Sequence, residues 1–212
     1  MKNYMPKGNR GRKLCNILNK YLDQFDPRTT LVAEIGADKC VFTKILLNKG
    51  FKVYVFDIKK SEFHPSNVRF VKVDLNSNII KIQNKFDLVL CTEVAEHLED
   101  QYNLFMNLKN IMKKDSILIF SVPNLHSIYA RLYFLLNGNL PFFPLTNIKG
   151  AHINPLFLNE IKILANMFNF SIKFVGSEGL WIPIIRKYLG DKYSFSSNYL
   201  FGKSLVVIMT KL

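Results

Sequence analysis

Short apolar segments that alternate with helical segments are the feature that most constrains how this chain can fold. The apolar segments contain few polar residues, and most of them end at an acid, a glycine or a proline. Continuous apolar strands separated by helices are typical of a parallel sheet that is covered on both faces. The predicted strands are LVAEI, FKVYVFD, VRFVKVD, FDLVLC, SILIFSV, FSIKFVG and KSLVVIMTKL. We therefore predict an α/β fold built on seven strands.

Three helices are predicted between these strands. FTKILLNKG ends at Gly50, and glycine commonly terminates a helix. The segment from Asp100 to Met112 has apolar residues at helical spacing, and PLFLNEIKILANMFNF is amphipathic. No helix clearly separates the last two strands, so we expect the seventh strand to be antiparallel.

Length and composition predict one soluble, cytoplasmic domain over residues 1–212. Apolar residues make up 49% of the chain, which is enough for a packed core. No apolar stretch approaches the roughly 18–20 residues of a membrane helix, and no apolar core follows the basic start as in a signal peptide. The three cysteines are widely spaced, which suits a reducing compartment. The oligomeric state is left open.

The formal net charge of +13 raises the question of a nucleic-acid partner. A nucleic-acid interface requires a concentrated patch, and the only tight basic cluster is Lys7, Arg10, Arg12 and Lys13. The remaining lysines are scattered through an asparagine- and isoleucine-rich chain. We therefore expect a small-molecule ligand in preference to a nucleic acid.

Two aromatic inserts interrupt the alternation, at about residues 124–155 and 177–202. Both follow predicted strands at their carboxyl ends, where open α/β sheets bind ligands. We expect the first insert, and less strongly the second, to cap a substrate. The alternative is that their aromatic residues only pack on the core.

Three successive strands carry an acid at the carboxyl end, namely Glu34, Asp57 and Asp74. Asp57 follows Glu34 by 23 residues, close to the spacing of roughly 20 at which an acid binds ribose hydroxyls in dinucleotide folds. We expect all three carboxylates to face one crevice. They suit a ligand with a ribose, an amine and a positive charge, because the glycines that a pyrophosphate needs are missing.

These residues resemble the class I S-adenosylmethionine-dependent methyltransferases. The acidic-x-Gly-x-Gly-x-Gly turn of that family falls on Glu34, Gly36, Asp38 and Cys40, and the segments FDLVLCTEVAEHLED and ILIFSVPN are its most specific matches. The resemblance covers roughly residues 30–175 together with 203–211. It implies a Rossmann-like, doubly wound seven-stranded sheet whose last strand is antiparallel.

The same resemblance implies roles for individual residues. Asp57 would bind the ribose and Asp74 the adenine amine, while the main chain near Gly36 and Cys91 would bind the methionine part. The candidate cofactor-binding residues are Glu34, Gly36, Ala37, Asp57, Asp74, Leu75 and Cys91. Asp38 and Cys40 replace two family glycines, so the turn is either a working but altered loop or a decayed one.

Glu93, Glu96 and His97 directly follow the fourth strand, and a helix beginning there would place all three on one face. Carboxylates with an imidazole suit Mg²⁺ or Mn²⁺, and His152 offers a fourth ligand. The arrangement resembles the ubiquinone-pathway O-methyltransferases and the small-RNA 3′-terminal 2′-O-methyltransferases. In a second interpretation, His97 or His152 is a catalytic base and no metal is bound. In a third, the acids only stabilise a helix N-terminus.

The function expected from this resemblance is methyl transfer from S-adenosylmethionine to a small-molecule acceptor, with oxygen as the expected acceptor atom. Two alternatives remain: an RNA methyltransferase, and a non-catalytic binding protein with the same fold. A nicotinamide dehydrogenase is disfavoured because the chain has no GxGxxG loop.

Overall fold

The computed structural model of the protein describes residues 18, 21–143, 152–180, 195–196 and 199–212. Within them, eight strands form one sheet in the order β3-β2-β1-β4-β5-β8-β6-β7. The strands are β1 (Leu31–Ile35), β2 (Lys52–Asp57), β3 (Arg69–Lys72), β4 (Phe86–Thr92), β5 (Met112–Pro123), β6 (Phe170–Leu180), β7 (Phe195–Ser196) and β8 (Gly202–Lys211). The basic cluster at Lys7–Lys13 lies outside the described residues.

The sheet confirms the predicted topology. β1 pairs in parallel with β2 and with β4, and β3 and β5 extend the parallel part on either side. β8 is antiparallel to both of its neighbours, β5 and β6. The seven predicted strands are therefore present and the last one is antiparallel. The added strand, β7, is two residues long and comes from the second predicted insert.

Four α-helices and one 3₁₀ helix connect the described strands. They are α1 (Val41–Asn48), the 3₁₀ helix (Ala95–His97), α2 (Gln101–Ile111), α3 (Ile128–Asn137) and α4 (Leu158–Met167). The Asp100 side chain caps α2 by accepting a hydrogen bond from the Asn103 N–H, as expected for an acid at this position. α3 lies in the first insert, where the sequence predicted no helix. Ser127 caps its start, and Gly138, with φ of 67°, ends it.

Hydrophobic clusters cover both faces of the sheet. One contains Phe56, Phe86, Phe105 and Phe120, which are fully buried beneath α2 and α4. The other lies beneath α1 and includes Leu46, Leu88 and Ile119. This arrangement is the doubly wound architecture predicted for continuous apolar strands.

No helix among the described residues combines the length and the apolar character that spanning a bilayer requires. The single-domain prediction for residues 1–212 stays a prediction, and residues 181–194 of the second insert lie outside the described part of the chain.

Candidate cofactor and acceptor site

The candidate site lies at the carboxyl ends of β1 and β4, where the strand order reverses. Gly36 follows β1 with φ of 68°, and a Cβ atom built on it would lie 2.4 Å from Cγ2 of Val94, which follows β4. A side chain at position 36 would therefore collide with the neighbouring loop. The retained glycine allows the candidate cofactor loop and the Val94 segment to pack together.

Asp38 and Cys40 have the left-handed backbone conformation that glycine would adopt most easily. Their φ angles are 40° and 54°. Both residues that replace family glycines thus occupy positive-φ positions, and the loop keeps a glycine-like conformation there. The Cys40 side chain is buried, and its sulfur lies 4.0 Å from Nδ1 of His64.

Asp57 lies at the end of β2, next to this loop. Its carboxylate accepts hydrogen bonds from the N–H groups of Asp38 (3.4 Å) and Lys59 (3.3 Å). It is only partly buried, so it can also accept hydrogen bonds from a ligand. The loop and the second strand-end acid are therefore placed together, as the sequence predicted.

The remaining candidates for cofactor binding lie around this crevice. Asp74 lies two residues beyond β3 and accepts a hydrogen bond from the Asn76 N–H (3.0 Å). Leu75 is buried, and its carbonyl accepts from the Asn103 side chain (2.6 Å). Ala37 and Cys91 are buried as well, and burial raises the pKa of the Cys91 thiol.

Glu34 differs from the other two strand-end acids, because its carboxyl group is almost completely buried. The side chain is buried and accepts a hydrogen bond from the Thr43 hydroxyl in the first turn of α1. Burial raises the pKa of Glu34 to about 8. The group therefore connects β1 to the first turn of α1.

Glu93 corrects one expectation, namely that a helix presents Glu93, Glu96 and His97 on one face. Only Glu96 and His97 belong to the three-residue 3₁₀ helix. Glu93 precedes it with φ of 55°, and its carboxylate accepts a hydrogen bond from the Ser121 hydroxyl (3.0 Å). A residue at positive φ breaks the helical spacing that the sequence pattern suggested.

Glu96, His97 and His152 do come together. Their potential ligand atoms lie within 4.8 Å of one another, and the two imidazole rings are 4.7 Å apart between centroids. Oε1 of Glu96 is 3.9 Å from Nε2 of His152. Glu93 is not one of the residues in this group.

Among these three side chains, Glu96 is unusual because its carboxyl group is buried without a hydrogen bond to the described part of the chain. It is 0% exposed, and neither of its oxygens has a hydrogen-bond partner among the described residues. Burial, followed by the charge of Glu93, raises the pKa of Glu96 to about 9. A buried carboxyl without hydrogen bonds must be neutral or must have a cation beside it. One carboxylate and two imidazoles at this separation could together hold a divalent metal ion.

His152 reaches the site because the segment that carries it is bound to the 3₁₀ helix. The N–H groups of Ile153 and Asn154 both donate to the Glu96 carbonyl, at 2.8 and 3.1 Å. The Asn154 side chain donates to the Leu98 carbonyl (3.1 Å). Two short segments far apart in sequence thus form one unit.

Several contributing residues were not singled out from the sequence. Ser121 fixes Glu93, Thr43 binds Glu34, and Asn154 holds the His152 segment in place. The position of Asn154, two residues after a candidate ligand, was the one signal that could have identified it. Ser121 and Thr43 lie inside a strand and a helix, where nothing in the sequence marks their partners.

Comparisons with known proteins agree with this geometry. A family model described as a methyltransferase domain matches residues 7–172. The chain is 28% identical over 194 residues to a ubiquinone biosynthesis O-methyltransferase of Rickettsia typhi, covering 79% of this chain and 75% of the relative. It is 27% identical over 187 residues to a malonyl-[acyl-carrier protein] O-methyltransferase of Coxiella burnetii, covering 81% and 75%. A structure of a SAM-dependent methyltransferase from Archaeoglobus fulgidus superposes with a TM-score of 0.65, at 17% identity, over 95% of this chain and 94% of that one.

Proposed function

The chain belongs to the class I S-adenosylmethionine-dependent methyltransferases, and on that premise we propose that it transfers the methyl group to an oxygen atom of a small, partly apolar acceptor. The non-catalytic alternative loses its main support, because the altered loop keeps the conformation of a glycine-containing turn. Membership of this family gives the enzyme class, and the residues around the crevice support the proposed oxygen acceptor.

One observation carries this proposal: the Glu96, His97 and His152 group lies directly beside the candidate cofactor loop. Val94 packs against Gly36 and immediately precedes the 3₁₀ helix that carries Glu96 and His97. An acceptor bound at the two histidines would therefore lie next to a cofactor bound at the loop. This proximity is the main requirement of methyl transfer, since alignment of the two reactants supplies much of the rate.

On the cofactor side, bound S-adenosylmethionine would supply an activated methyl group on a positively charged sulfur. We propose that Asp57 accepts hydrogen bonds from the ribose hydroxyls and that Asp74 accepts one from the adenine amine. Gly36, Ala37, Leu75 and Cys91 would contribute main-chain groups and packing. Glu34 would act indirectly, by fixing the start of α1.

On the acceptor side, we propose that Glu96, His97 and His152 hold Mg²⁺ or Mn²⁺. Such an ion would lower the pKa of a hydroxyl bound beside it. The support is the buried Glu96 carboxyl, whose oxygens lack hydrogen-bond partners among the described residues. The competing mechanism has the same residues but no metal, with His97 or His152 removing the hydroxyl proton.

The acceptor chemistry is inferred from the first insert and from the relatives. Leu135 and Leu136 on α3 are 76% and 80% exposed, and Phe143, shortly after α3, packs 5.4 Å from the His152 ring. The Phe143 ring beside His152 and the exposed apolar residues of α3 favour an acceptor with a ring or an apolar chain. Both relatives are named as O-methyltransferases, which favours oxygen as the methylated atom.

The test is a methyl-transfer assay with radiolabelled S-adenosylmethionine and a panel of acceptors. The panel contains apolar phenols and catechols, an apolar carboxylic acid, an apolar amine and a short RNA. We expect transfer to one of the oxygen acceptors, with His152→Ala at least about tenfold slower and the cofactor affinity unchanged. Transfer only to the amine or to the RNA would overturn the proposal.

A further inference from the structure

The start of α4 has an unusual cap. Its N-cap residue is Phe157, whose side chain contains no acceptor for the free N–H groups of the first turn. Glu160 satisfies one of them by accepting from the Phe157 N–H (2.5 Å). The next, the Leu158 N–H, donates to Nε2 of His126, which lies 32 residues earlier in the chain, at 2.9 Å.

His126 is itself fixed to the end of β5. The backbone N–H of His126 donates to the Asn124 side-chain oxygen (3.1 Å). The Asn124 side-chain amide in turn donates to the carbonyls of Tyr199 (2.6 Å) and Gly202 (2.9 Å). The His126 ring also makes edge contacts with the rings of Phe157 and Tyr199, each at 5.7 Å. His126 therefore links the end of β5 to the start of α4, a connection that we call the His126 bracket.

The segment from His152 to Phe157 is consequently held at two points. At one end, the N–H groups of Ile153 and Asn154 are bound to the Glu96 carbonyl. At the other end, the Leu158 N–H is bound to His126. We propose that His126 is a positioning residue, which sets the place of His152 opposite Glu96 and His97 without contacting the reactants.

This role requires a neutral imidazole. A nitrogen that accepts from a backbone N–H carries no proton, so a doubly protonated ring cannot make the bond to Leu158. The charged groups around His126 are Arg131 on α3 and Glu160 and Lys162 on α4. Burial, Arg131 and Lys162 lower the pKa of His126, and Glu160 opposes them. The hydrogen bond from the Leu158 N–H to His126 is thus present at neutral pH and is lost on acidification.

The inference rests on the proposed function, in which His152 belongs to the acceptor side. Two variants separate positioning from general stability. His126→Gln keeps a side-chain oxygen that can accept from Leu158, and His126→Leu fills similar space without an acceptor. We expect His126→Leu to reduce kcat about tenfold at unchanged S-adenosylmethionine affinity, and His126→Gln to restore most of it.

A readout that needs no turnover makes the test independent of the proposed function. The chain has four histidines, so imidazole NMR signals can be assigned by substitution. We expect His126→Leu to shift and broaden the His152 signals. We also expect hydrogen-exchange protection of the Leu158 amide to be lost in His126→Leu, and to be lost on acidification in the wild type but not in His126→Gln.

The outcomes are distinguishable. Unchanged His152 signals and Leu158 protection in a folded His126→Leu variant would overturn the positioning role, whatever the enzyme methylates. Altered His152 signals together with normal turnover would instead overturn the placement of His152 on the acceptor side. Equal losses of kcat and of Leu158 protection in the Gln and Leu variants would show that the ring acts through packing. That result would also contradict a role for the hydrogen bond between His126 and Leu158.

Discussion

Glu34 is a buried residue whose protonation depends on the fold. Its folded pKa of about 8 lies above the unfolded value of 4.5, so the native state holds a proton that the unfolded chain releases. The free energy of unfolding should therefore fall as pH rises from about 4.5 to 8, with a slope of at most about 1.4 kcal/mol per pH unit. The stability that the protonated group provides is complete below that range and lost above it.

The matched variant is Glu34→Gln, which keeps an oxygen for the Thr43 hydroxyl but does not titrate. Urea denaturation between pH 5 and pH 9 should show a flatter dependence on pH in the variant than in the wild type. Identical slopes in the two proteins would mean that Glu34 is already ionised at neutral pH in the folded state.

Asp38 tests whether the altered loop is specialised. Its φ of 40° is costly for a residue with a side chain and not for glycine. Asp38→Gly should bind S-adenosylmethionine as well as the wild type or more tightly, and Asp38→Ala should bind more weakly, by about 1 kcal/mol. Isothermal titration calorimetry measures both. Weaker binding by the glycine variant would show that the Asp38 carboxylate itself contacts the ligand.

At the scale of elements, the 3₁₀ helix and the His152 segment define which residues a test for metal binding should change and which residue serves as its control. If the site holds a metal, a chelator should abolish turnover and Mn²⁺ or Mg²⁺ should restore it. Glu96→Ala should then lose turnover while retaining cofactor affinity, because the ion would serve the acceptor. Glu93→Ala is the matched control, and we expect a smaller effect because Glu93 binds Ser121 and is outside the ligand group.

The base mechanism gives a different set of results. The chelator should then have no effect, while His97→Ala or His152→Ala should slow turnover at unchanged cofactor affinity. Full activity in both histidine variants, together with resistance to the chelator, would contradict both mechanisms and leave these residues with a structural role.

The same elements show where sequence reasoning succeeded and failed. Asp100, Gly50 and the spacing of apolar residues predicted α2 and the end of α1, because helix ends and amphipathic faces are encoded locally. The helix expected at Glu93 was wrong because tertiary contacts hold Glu93 at positive φ, and a local pattern cannot show that. α3 was missed because its face is apolar almost throughout and therefore has no helical alternation of polar residues.

At the scale of the whole molecule, the strands were predictable because they are continuous apolar runs, whereas the doubly wound arrangement was implied by the resemblance to known methyltransferases. The antiparallel last strand followed from the missing helix before it. The encounter of His152 with Glu96 was anticipated only by resemblance to known enzymes. Its physical cause, two N–H groups bound to one carbonyl, joins residues that are 57 and 58 positions apart.

The net charge of +13 permits a last prediction, which separates a small-molecule acceptor from RNA. Binding through six to ten phosphate contacts loses roughly 10³–10⁵ in affinity between 50 and 200 mM salt, because bound counterions are released. For whichever acceptor the methyl-transfer assay identifies, we expect KM to change less than about twofold over this range, because an apolar oxygen acceptor carries no row of phosphates. The cofactor KM, measured in the same series, is the control for salt effects on folding. A KM for the acceptor that rises by orders of magnitude would show that the scattered lysines bind an extended polyanion, and the acceptor would then be RNA or a phosphate-rich carrier.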